Sequence, residues 1–211
     1  MVGFDKYFVC CIEKMTKEEL RVLFKNQLRF RTCKSWGAVD LSISENISKK
    51  FWFARAGQIG MFASTPWEPK VNALYEYLAK RRKRVYLPRI VNNASLAFFS
   101  ISTEAPMVLN RFGIAEPLGG GLWKPKPSDI IVVPGLCFDL LGYRVGYGRG
   151  YYDRYLKKLS LYVLRVGIAY DYQVVGSIIK DPWDQPMDLV VTEKREIICP
   201  SFKTKMATRS Y

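Results

Sequence analysis

Hydrophobic residues in the first part of the chain repeat at the spacing of helices. Thr16 and Glu19 have the spacing of a capping box, and the apolar positions that follow are Leu20, Leu23, Phe24 and Leu28. This pattern predicts a helix over about residues 17–34. Further helices are predicted from about Ser44 to Arg55 and from Val71 to Arg82, where the basic end complements the helix dipole.

Continuous apolar runs alternate with these helices and indicate strands. They are QIGMFAS (58–64), RVYLPRI (84–90, expected to stop at Pro88), SLAFFSI (95–101), DIIVVPG (129–135), LYVLRVGIAY (161–170) and MDLVVTEKREIIC (187–199). Consecutive apolar positions, as in DIIVVPG, are typical of a parallel strand that is buried on both faces. The segments 113–127 and 136–150 are predicted loops, and Tyr151 to Leu159 a helix. The alternation predicts an α/β protein whose sheet is covered by helices on both faces.

Length and composition indicate one domain. The 211 residues are 49% hydrophobic, which is enough for one well-filled core. No stretch approaches the roughly 18 consecutive apolar residues of a membrane span. The N-terminus resembles neither a secretory signal nor an Arg-rich transit peptide. We therefore expect a cytoplasmic protein with no membrane partner, and we take it to be a monomer.

The residue types that are missing restrict the chemistry. The chain has no histidine, which excludes the usual general base, the usual zinc ligand and the Ser–His or Cys–His pair. Five cysteines without a CxxC pair argue against a disulfide framework, and Cys137 and Cys199 are expected in the core. The net charge of +14 attracts polyanions, but it does not choose between nucleotides, polycarboxylates, nucleic acid and acidic membranes.

The segment RVGYGRGYYDRYLKKL (144–159) places three glycines directly before a predicted helix. Gly146, Gly148 and Gly150 allow backbone N–H groups to approach one point closely, and the helix N-terminus adds partial positive charge. Arg144 and Arg149 add full charges. The pattern predicts a phosphate-binding loop beyond the carboxyl end of the strand DIIVVPG. The spacing itself is equally compatible with a surface turn.

Asp153 lies in the first turn of the helix that follows the glycines. A carboxylate beside bound phosphate suits Mg²⁺, which takes one or two protein carboxylates together with phosphate oxygens. An Asp in the first turn of a helix also complements the helix dipole without any ligand. Both interpretations remain open from the residues alone.

The run PGLCFDLLGYRVGYGRGYYDRYL (134–156) resembles the signature of the 5-formyltetrahydrofolate cyclo-ligase family, PG-x-x-FD-x-x-G-x-R-LG-x-G-x-GYYD. Other segments follow the family pattern in order: KEELR (17–21), IGMFASTPWEP (59–69), VYLPRI (85–90), RFGIAEP (111–117) and DPWDQPMDLVVTE (181–193). The resemblance covers about residues 15–199, which we expect to form one domain between an extension (1–14) and a tail (200–211). Met15 opens MTKEELR as a family member would begin, so the first 14 residues are expected to be an extension or to follow from a misassigned start codon.

The resemblance implies a three-layer α/β/α fold of the NagB/RpiA/CoA transferase-like group, with a mostly parallel sheet. It also implies ATP- and Mg²⁺-dependent closure of 5-formyltetrahydrofolate, with or without a polyglutamate tail, to 5,10-methenyltetrahydrofolate, ADP and phosphate. In that reaction the formyl oxygen takes the γ-phosphate, N10 attacks the activated carbon, and phosphate leaves. No enzyme nucleophile is needed, which agrees with the absence of histidine.

The family's functional positions carry over to particular residues of this chain. ATP would contact Lys17 and Arg21 from the first helix, and then Arg144, Val145, Gly146, Tyr147, Gly148, Arg149, Gly150, Tyr151 and Tyr152. The folate would contact Ala63, Glu68, Phe112, Tyr147, Gly148, Arg149, Gly150 and Tyr151. Mg²⁺ would bind Asp153 and Asp184, and the catalytic residues would be Lys17, Arg149 and Tyr152. The chain departs from the pattern at Tyr147, where some relatives have a basic residue, and at Trp183, where many have histidine.

Two other functions are compatible with parts of the sequence. A relative could keep the fold and the nucleotide site and act on another substrate, although the presence of Glu68, Lys17, Asp153 and Asp184 argues against it. A basic nucleic-acid-binding module would interleave lysine, arginine and aromatic residues on one face. The densest basic run, KRRKR (80–84), has no such interleaving, so we predict no nucleic-acid partner.

Overall fold

The computed structural model describes residues 14–29, 36–65, 68–92, 95–102 and 105–208. Its helices are α1 (Lys17–Arg29), α2 (Trp36–Ser48), α3 (Phe51–Arg55), α4 (Asn72–Lys80), α5 (Tyr151–Lys158) and α6 (Pro200–Thr208). Its strands are β1 (Gln58–Gly60), β2 (Arg84–Asn92), β3 (Ser95–Ile101), β4 (Met107–Leu109), β5 (Ala115–Pro117), β6 (Ile130–Val133), β7 (Cys137–Asp139), β8 (Arg144–Val145), β9 (Leu164–Ile168), β10 (Val174–Val175), β11 (Leu189–Val191) and β12 (Glu196–Ile198).

A seven-stranded sheet forms the centre of the molecule, in the order β12-β11-β9-β6-β1-β2-β3. The five inner strands are parallel, and the edge strands β12 and β3 pair antiparallel to their neighbours. The predicted mostly parallel α/β sheet is therefore confirmed. Strands β10, β7 and β8 form a small second sheet, and β4 and β5 form a hairpin.

The two faces of the sheet bury alternate residues of the same strands. In β6, Ile130 and Val132 join a core that includes apolar residues of α1, α2, α3 and α4. Ile131 and Val133 join a second core on the opposite face, to which α5 contributes Leu156. Because both faces are covered, every position of such a strand must be apolar, which explains the unbroken run in the sequence. Cys137 and Cys199 are buried, as predicted.

The chain leaves β1 and β6 in opposite directions, and this positions the candidate site. From β1 it passes through α4, on one face of the sheet, to β2 on one side. From β6 it passes through α5, on the other face, to β9 on the other side. Neighbouring strands whose connections diverge in this way leave a crevice beyond their carboxyl ends, where open α/β sheets bind ligands.

The single helix predicted from Ser44 to Arg55 is wrong, because the structure has two helices, α2 and α3, and the first begins before Ser44. Helix α2 begins at Trp36, whose ring packs edge-on against Tyr170 at 4.9 Å, a contact that the local sequence does not reveal. The helix is then interrupted because Lys50 has an extended backbone (φ −78°, ψ 131°). Glu196 fixes the interruption, since it pairs with the Lys50 ammonium at 2.7 Å and accepts a hydrogen bond from the Trp52 indole.

Strand β2 does not stop at Pro88, as the sequence predicted, but continues to Asn92. Met61 donates its N–H to the carbonyl of Tyr86, and the next bond of this parallel ladder would need an N–H from residue 88. Proline has none, so the pairing with β1 ends there. The antiparallel pairing with β3 continues, with Pro88 opposite Phe98. The proline therefore terminates one ladder of the strand and leaves the other intact.

Other differences concern short elements. The predicted loop over 113–127 contains β5, and the predicted loop over 136–150 contains β7 and β8. The helix predicted for 17–34 is present to Arg29, and residues 30–35 lie outside the described residues, as do Cys10, Cys11 and Cys33. No helix in the described ranges is long and apolar enough to cross a membrane.

Candidate active site

The glycine segment, defined here as residues 146–150, follows the β7–β8 hairpin and ends at the residue before α5. Gly148 (φ +97°) and Gly150 (φ +63°) have left-handed backbones that residues with a Cβ rarely adopt. Gly150 is the N-cap of α5 and no side chain caps that helix end. At Gly146 a Cβ would meet no atom within 4 Å, so this part of the segment faces open space. The predicted loop thus leads to a helix N-terminus beside accessible backbone.

Helix α1 packs against the glycine segment through Arg21. The Nε of Arg21 donates a 3.0 Å hydrogen bond to the carbonyl of Gly146, and Nη1 pairs with Glu18 at 2.6 Å. A Cβ on Gly148 would lie 3.4 Å from the Arg21 Nε, so the glycine allows the close approach of the guanidinium. The structure therefore brings the predicted residue Arg21 into direct contact with the predicted phosphate loop.

Asp153 and Arg144 form an ion pair at the base of the same loop. Nη2 of Arg144 lies 3.0 Å from Oδ1 of Asp153, and the Arg144 side chain is only 4% exposed. The same carboxylate oxygen accepts the backbone N–H of Gln185 at 3.3 Å, and Nη1 of Arg144 donates to the Gln185 carbonyl at 3.1 Å. These bonds connect the start of α5 to the loop that contains Asp184.

Lys17 is held between two carboxylates of that loop. Its ammonium lies 2.6 Å from Oδ2 of Asp181 and also pairs with Oδ2 of Asp184. Asp184 accepts the backbone N–H of Asp181 at 2.7 Å, which fixes the turn. The side chains of Lys17 and Asp184 are 15% and 10% exposed, whereas that of Asp181 is 43% exposed. The two predicted residues Lys17 and Asp184 are therefore direct partners.

The carboxylates of Asp153 and Asp184 fit a magnesium ion whose other ligands come from a bound phosphate and water. Asp153 and Asp184 each use one carboxyl oxygen in the bonds above, and the other oxygen of each makes no hydrogen bond with the described residues. No group of three acidic, histidine or cysteine residues converges within the described ranges. Two carboxylates without further protein ligands suit Mg²⁺ bound together with phosphate oxygens and water.

Glu68 is a buried carboxylate beyond the end of β1. It is 2% exposed and accepts the backbone N–H of Thr65 at 2.8 Å. The hydroxyl of Tyr147, from the glycine segment, also donates to Glu68 and lies 3.1 Å from the Thr65 hydroxyl. Burial raises the pKa of Glu68, and these donors and Lys70 only partly offset that effect. The two loops beyond β1 and β6 thus meet at this carboxylate.

Two tyrosines near this carboxylate favour their protonated form. Burial raises the pKa of Tyr152 well above its usual value, and the charge of Glu68 raises it further. The same two causes raise the pKa of Tyr147. The Tyr152 ring also packs edge-on against Phe98 and lies 5.9 Å from the Arg144 guanidinium. Protonated phenols offer hydrogen-bond donors to a ligand that enters the crevice.

An open cleft of about 450 Å³ adjoins the loop beyond β1. Ala63, Lys70, Tyr75 and Ser102 are among the residues that line it. The Tyr75 hydroxyl donates to the carbonyl of Phe62 at 3.0 Å, and burial raises its pKa. The predicted substrate residue Ala63 therefore faces a space large enough for a small organic ligand.

Phe112 lies in the turn of the β4–β5 hairpin and is 44% exposed. The guanidinium of Arg111 lies 4.9 Å from its ring centre and that of Arg149 lies 6.0 Å away. Arg111 also donates to the Tyr151 hydroxyl at 3.4 Å. Phe112, Arg149 and Tyr151 therefore form one exposed cluster that links the hairpin to the glycine segment.

Val145 occupies a different environment from the other predicted contacts. Its side chain is fully buried in the core, and its carbonyl accepts the N–H of Leu136. The structure also brings in Thr65, Asp181, Gln185 and Arg111, which the sequence did not single out. Thr65 and Asp181 lie in two of the family-like segments, but their side chains acquire a role only through contacts across the fold.

Known proteins resemble this chain in sequence and in fold. The profile of the 5-formyltetrahydrofolate cyclo-ligase family matches residues 13–193. The Escherichia coli 5-formyltetrahydrofolate cyclo-ligase is 32% identical over 145 residues, covering 66% of this chain and 80% of that protein. The Mycoplasma pneumoniae protein of the same name is 28% identical over 124 residues, covering 59% of this chain and 65% of that protein, slightly less than two thirds of its length. The NMR structure of Aquifex aeolicus 5,10-methenyltetrahydrofolate synthetase has a TM-score of 0.78 and 30% identity, covering 88% of this chain and 94% of that chain.

Proposed function

This chain belongs to the 5-formyltetrahydrofolate cyclo-ligase family, a family of ligases, and on that premise we propose that it closes 5-formyltetrahydrofolate to 5,10-methenyltetrahydrofolate with ATP and Mg²⁺. The observation that carries the proposal is the convergence of two loops at the crevice between β1 and β6. One supplies the buried carboxylate Glu68, and the other supplies the glycine segment. They touch through Thr65 and Tyr147.

The phosphate end of the proposed site uses backbone and cations. Bound ATP would supply the phosphoryl group that turns the formyl oxygen into a leaving group. Lys17 and Arg21 lie one turn apart on α1, so both face the same side of the helix. The open space beside Gly146, the free N-terminus of α5 and Arg149 would accept negative charge at the same place. Arg144 acts mainly through Asp153, because its side chain is almost completely buried.

Asp153 and Asp184 would hold the magnesium ion, whose charge would neutralise the phosphate oxygens. Arg144 orients Asp153 through their ion pair, and Lys17 orients Asp184 in the same way. Binding of the metal to Asp184 would compete with the Lys17 ion pair. The ammonium would then be available to phosphate while Asp181 still restrains it.

The folate end uses Glu68 and its neighbours. A buried carboxylate with a raised pKa binds best to a partner that donates hydrogen bonds, and a pterin ring offers adjacent N–H groups. Ala63 lines the adjoining cleft. Phe112 offers an exposed ring beside Arg149 of the glycine segment. Tyr152 remains protonated near neutral pH, so its hydroxyl can donate to the substrate while Lys17 and Arg149 neutralise developing charge.

The proposal is tested by absorbance in the methenyltetrahydrofolate band after mixing the protein with 5-formyltetrahydrofolate, ATP and Mg²⁺. The expected result is a rise that requires all three ligands and is lost when any one is omitted. If absorbance does not rise while calorimetry still detects ATP binding, the proposed nucleotide site is retained and the proposal of 5-formyltetrahydrofolate as the substrate is wrong. If neither signal appears, the proposed function is wrong as a whole.

A further inference from the structure

A positively charged surface lies at the amino ends of β1 and β2, on the opposite side of the sheet from the crevice. We define the basic edge as the five exposed side chains Arg55, Lys80, Arg81, Arg82 and Arg84. Arg84 begins β2 and pairs in register with Gln58, the first residue of β1. Because β1 and β2 are parallel, these positions mark the amino ends of the strands, whereas the crevice lies beyond their carboxyl ends. The basic edge is therefore separate from the proposed active site.

Tertiary contacts join two separate segments into this surface. The ammonium of Lys83 donates to the carbonyls of Ala54 and Ala56, at 2.8 Å and 2.7 Å, and so fixes the turn after α4 against the end of α3. None of the five basic-edge side chains has an ion pair with a described residue. Glu76, one turn before Lys80, is the only carboxylate between residues 72 and 84. The surface therefore keeps a concentrated positive charge.

Aromatic rings one helical turn earlier in the chain lie beside two of these arginines. The guanidinium of Arg55 lies 4.5 Å from the ring centre of Phe51, which is 70% exposed. The guanidinium of Arg81 lies 4.3 Å from the ring centre of Tyr77. The sequence KRRKR contains no aromatic residue, but the fold and the helix before it supply two. The aromatic residues expected at a nucleic-acid surface, which the run KRRKR itself lacks, are supplied by the helical turns that precede Arg55 and Arg81.

Arg82 adds an independent observation, because its backbone is left-handed (φ +53°). The N–H of Arg82 bonds to the carbonyl of Ala79, and that of Lys83 bonds to the carbonyl of Leu78, which together form a Schellman motif at the end of α4. Glycine is the usual residue at this position, since a Cβ there is unfavourable. An exposed arginine in a strained position that glycine would occupy more easily points to a function for its side chain.

We propose that the basic edge binds single-stranded nucleic acid. Phosphates would contact Lys80, Arg82 and Arg84. Unpaired bases would stack beside Arg55 and Arg81, whose guanidinium groups already lie close to the rings of Phe51 and Tyr77. Four of the five cations are arginines, which offer planar donors and stacking surfaces. A membrane surface would not need those planes, because it attracts lysine and arginine alike.

Fluorescence anisotropy with a labelled oligouridylate of about 12 nucleotides, within the range of single-strand binding sites, tests the proposal. Neutralising about three to five phosphates predicts a slope of log affinity against log salt of roughly −2 to −3.5. The triple variant Arg81→Ser, Arg82→Gly, Arg84→Ser is expected to weaken binding about tenfold or more and to reduce the slope by about two. Equal affinity for a duplex of the same length, or binding only to vesicles of anionic lipid, would overturn it.

The single variant Arg82→Gly separates loss of binding from loss of folding. It removes a phosphate contact and also the backbone strain, so the melting temperature should rise while affinity falls about threefold and the salt slope falls by about one. The double variant Lys157→Ser, Lys158→Ser removes two exposed charges at the end of α5 and serves as the control. If this control weakens oligonucleotide binding equally, the affinity depends only on the net charge of the protein, and the proposed site is wrong. Cyclo-ligase turnover should stay within about twofold in all these variants, so a failure here is distinct from a failure of the proposed reaction.

Discussion

The hydroxyl of Tyr147 lies 3.1 Å from the hydroxyl of Thr65, although 82 residues separate them in the chain. Tyr147 belongs to the loop beyond β6, and Thr65 to the loop beyond β1. Both residues also hold Glu68, Thr65 through its backbone N–H and Tyr147 through its hydroxyl. The contact therefore connects the proposed phosphate end of the crevice to the proposed folate end.

Tyr147→Phe removes the hydroxyl that donates to Glu68 and leaves the ring beside Lys25. A hydrogen bond to a charged group contributes about 1.5–3 kcal/mol, and Tyr147 is partly exposed, so we expect kcat/KM for folate to fall about tenfold. Without this donor the pKa of Glu68 should rise further. The acid limb of the kcat/KM profile should therefore move to higher pH. Tyr143→Phe, four residues earlier in the chain, is the matched control and should leave the pH profile unchanged.

Glu68→Gln should stabilise the free protein and remove its activity. The pKa of Glu68 is raised in the folded state, so its contribution to stability is present below its ordinary value of 4.5 and is lost as the pH rises through the raised pKa. At neutral pH the buried carboxylate is therefore unfavourable, and glutamine mimics its protonated form. We expect a higher melting temperature at pH 7.5, by about 2–4 °C for each kcal/mol gained, and no gain near pH 4. A lower melting temperature at pH 7.5 would mean that the carboxylate stabilises the fold.

Asp153→Asn should separate metal binding from folding. Asparagine keeps an acceptor for Arg144 and Gln185 but loses the charge, so we expect turnover to fall about a hundredfold and stability by about 1–3 kcal/mol. The required concentration of Mg²⁺ should increase. Asp171→Asn is the matched control, because it weakens an ion pair with Arg195 elsewhere in the molecule. If turnover stays within about twofold of that of the parent protein, Asp153 is not a ligand of the catalytic metal ion.

Lys17→Met should impair the use of ATP more than the fold. The side chain keeps its length but no longer neutralises Asp181 and Asp184, so kcat/KM for ATP should fall about a hundredfold or more. Asp181→Asn is the informative comparison, since this carboxylate is 43% exposed and the pair should contribute about 1 kcal/mol or less. Steady-state kinetics with varied ATP measure both effects. Equal losses in the two variants would show that Lys17 acts only through its ion pairs.

Gly146→Ala tests whether the open space at the glycine segment is occupied by a ligand. A Cβ at this position meets no atom within 4 Å, so the melting temperature should not change by more than about 1 °C. The methyl group would stand where a phosphate approaches the backbone, so the Kd for ATP should rise about tenfold or more. Gly37→Ala, which also has open space around its Cβ, is the control and should leave the Kd unchanged. Unchanged ATP binding in Gly146→Ala would place the phosphates elsewhere.

The sequence determined the sheet and the types of chemistry. Runs such as IIVV in β6 are apolar at every position because both faces of the sheet are buried, and this property can be recognised without coordinates. The three glycines before α5 were compatible with phosphate binding, and the absence of histidine excluded histidine-based catalysis. Phosphate transfer without an enzyme nucleophile was what the family resemblance implied. The roles of the site residues stay predictions, as do the domain limits at residues 15 and 199, but the choice of residues came from the sequence.

Tertiary structure decided which of these groups meet. Thr65 and Tyr147, and Lys17 and Asp181, become partners through strand order and helix packing. Short-range patterns describe only neighbours along the chain, so they predicted that β2 would stop at Pro88. The decisive partner is β3, a separate strand whose antiparallel pairing with β2 continues past the proline. A residue's type limits what it can bind, and the fold determines what lies within reach.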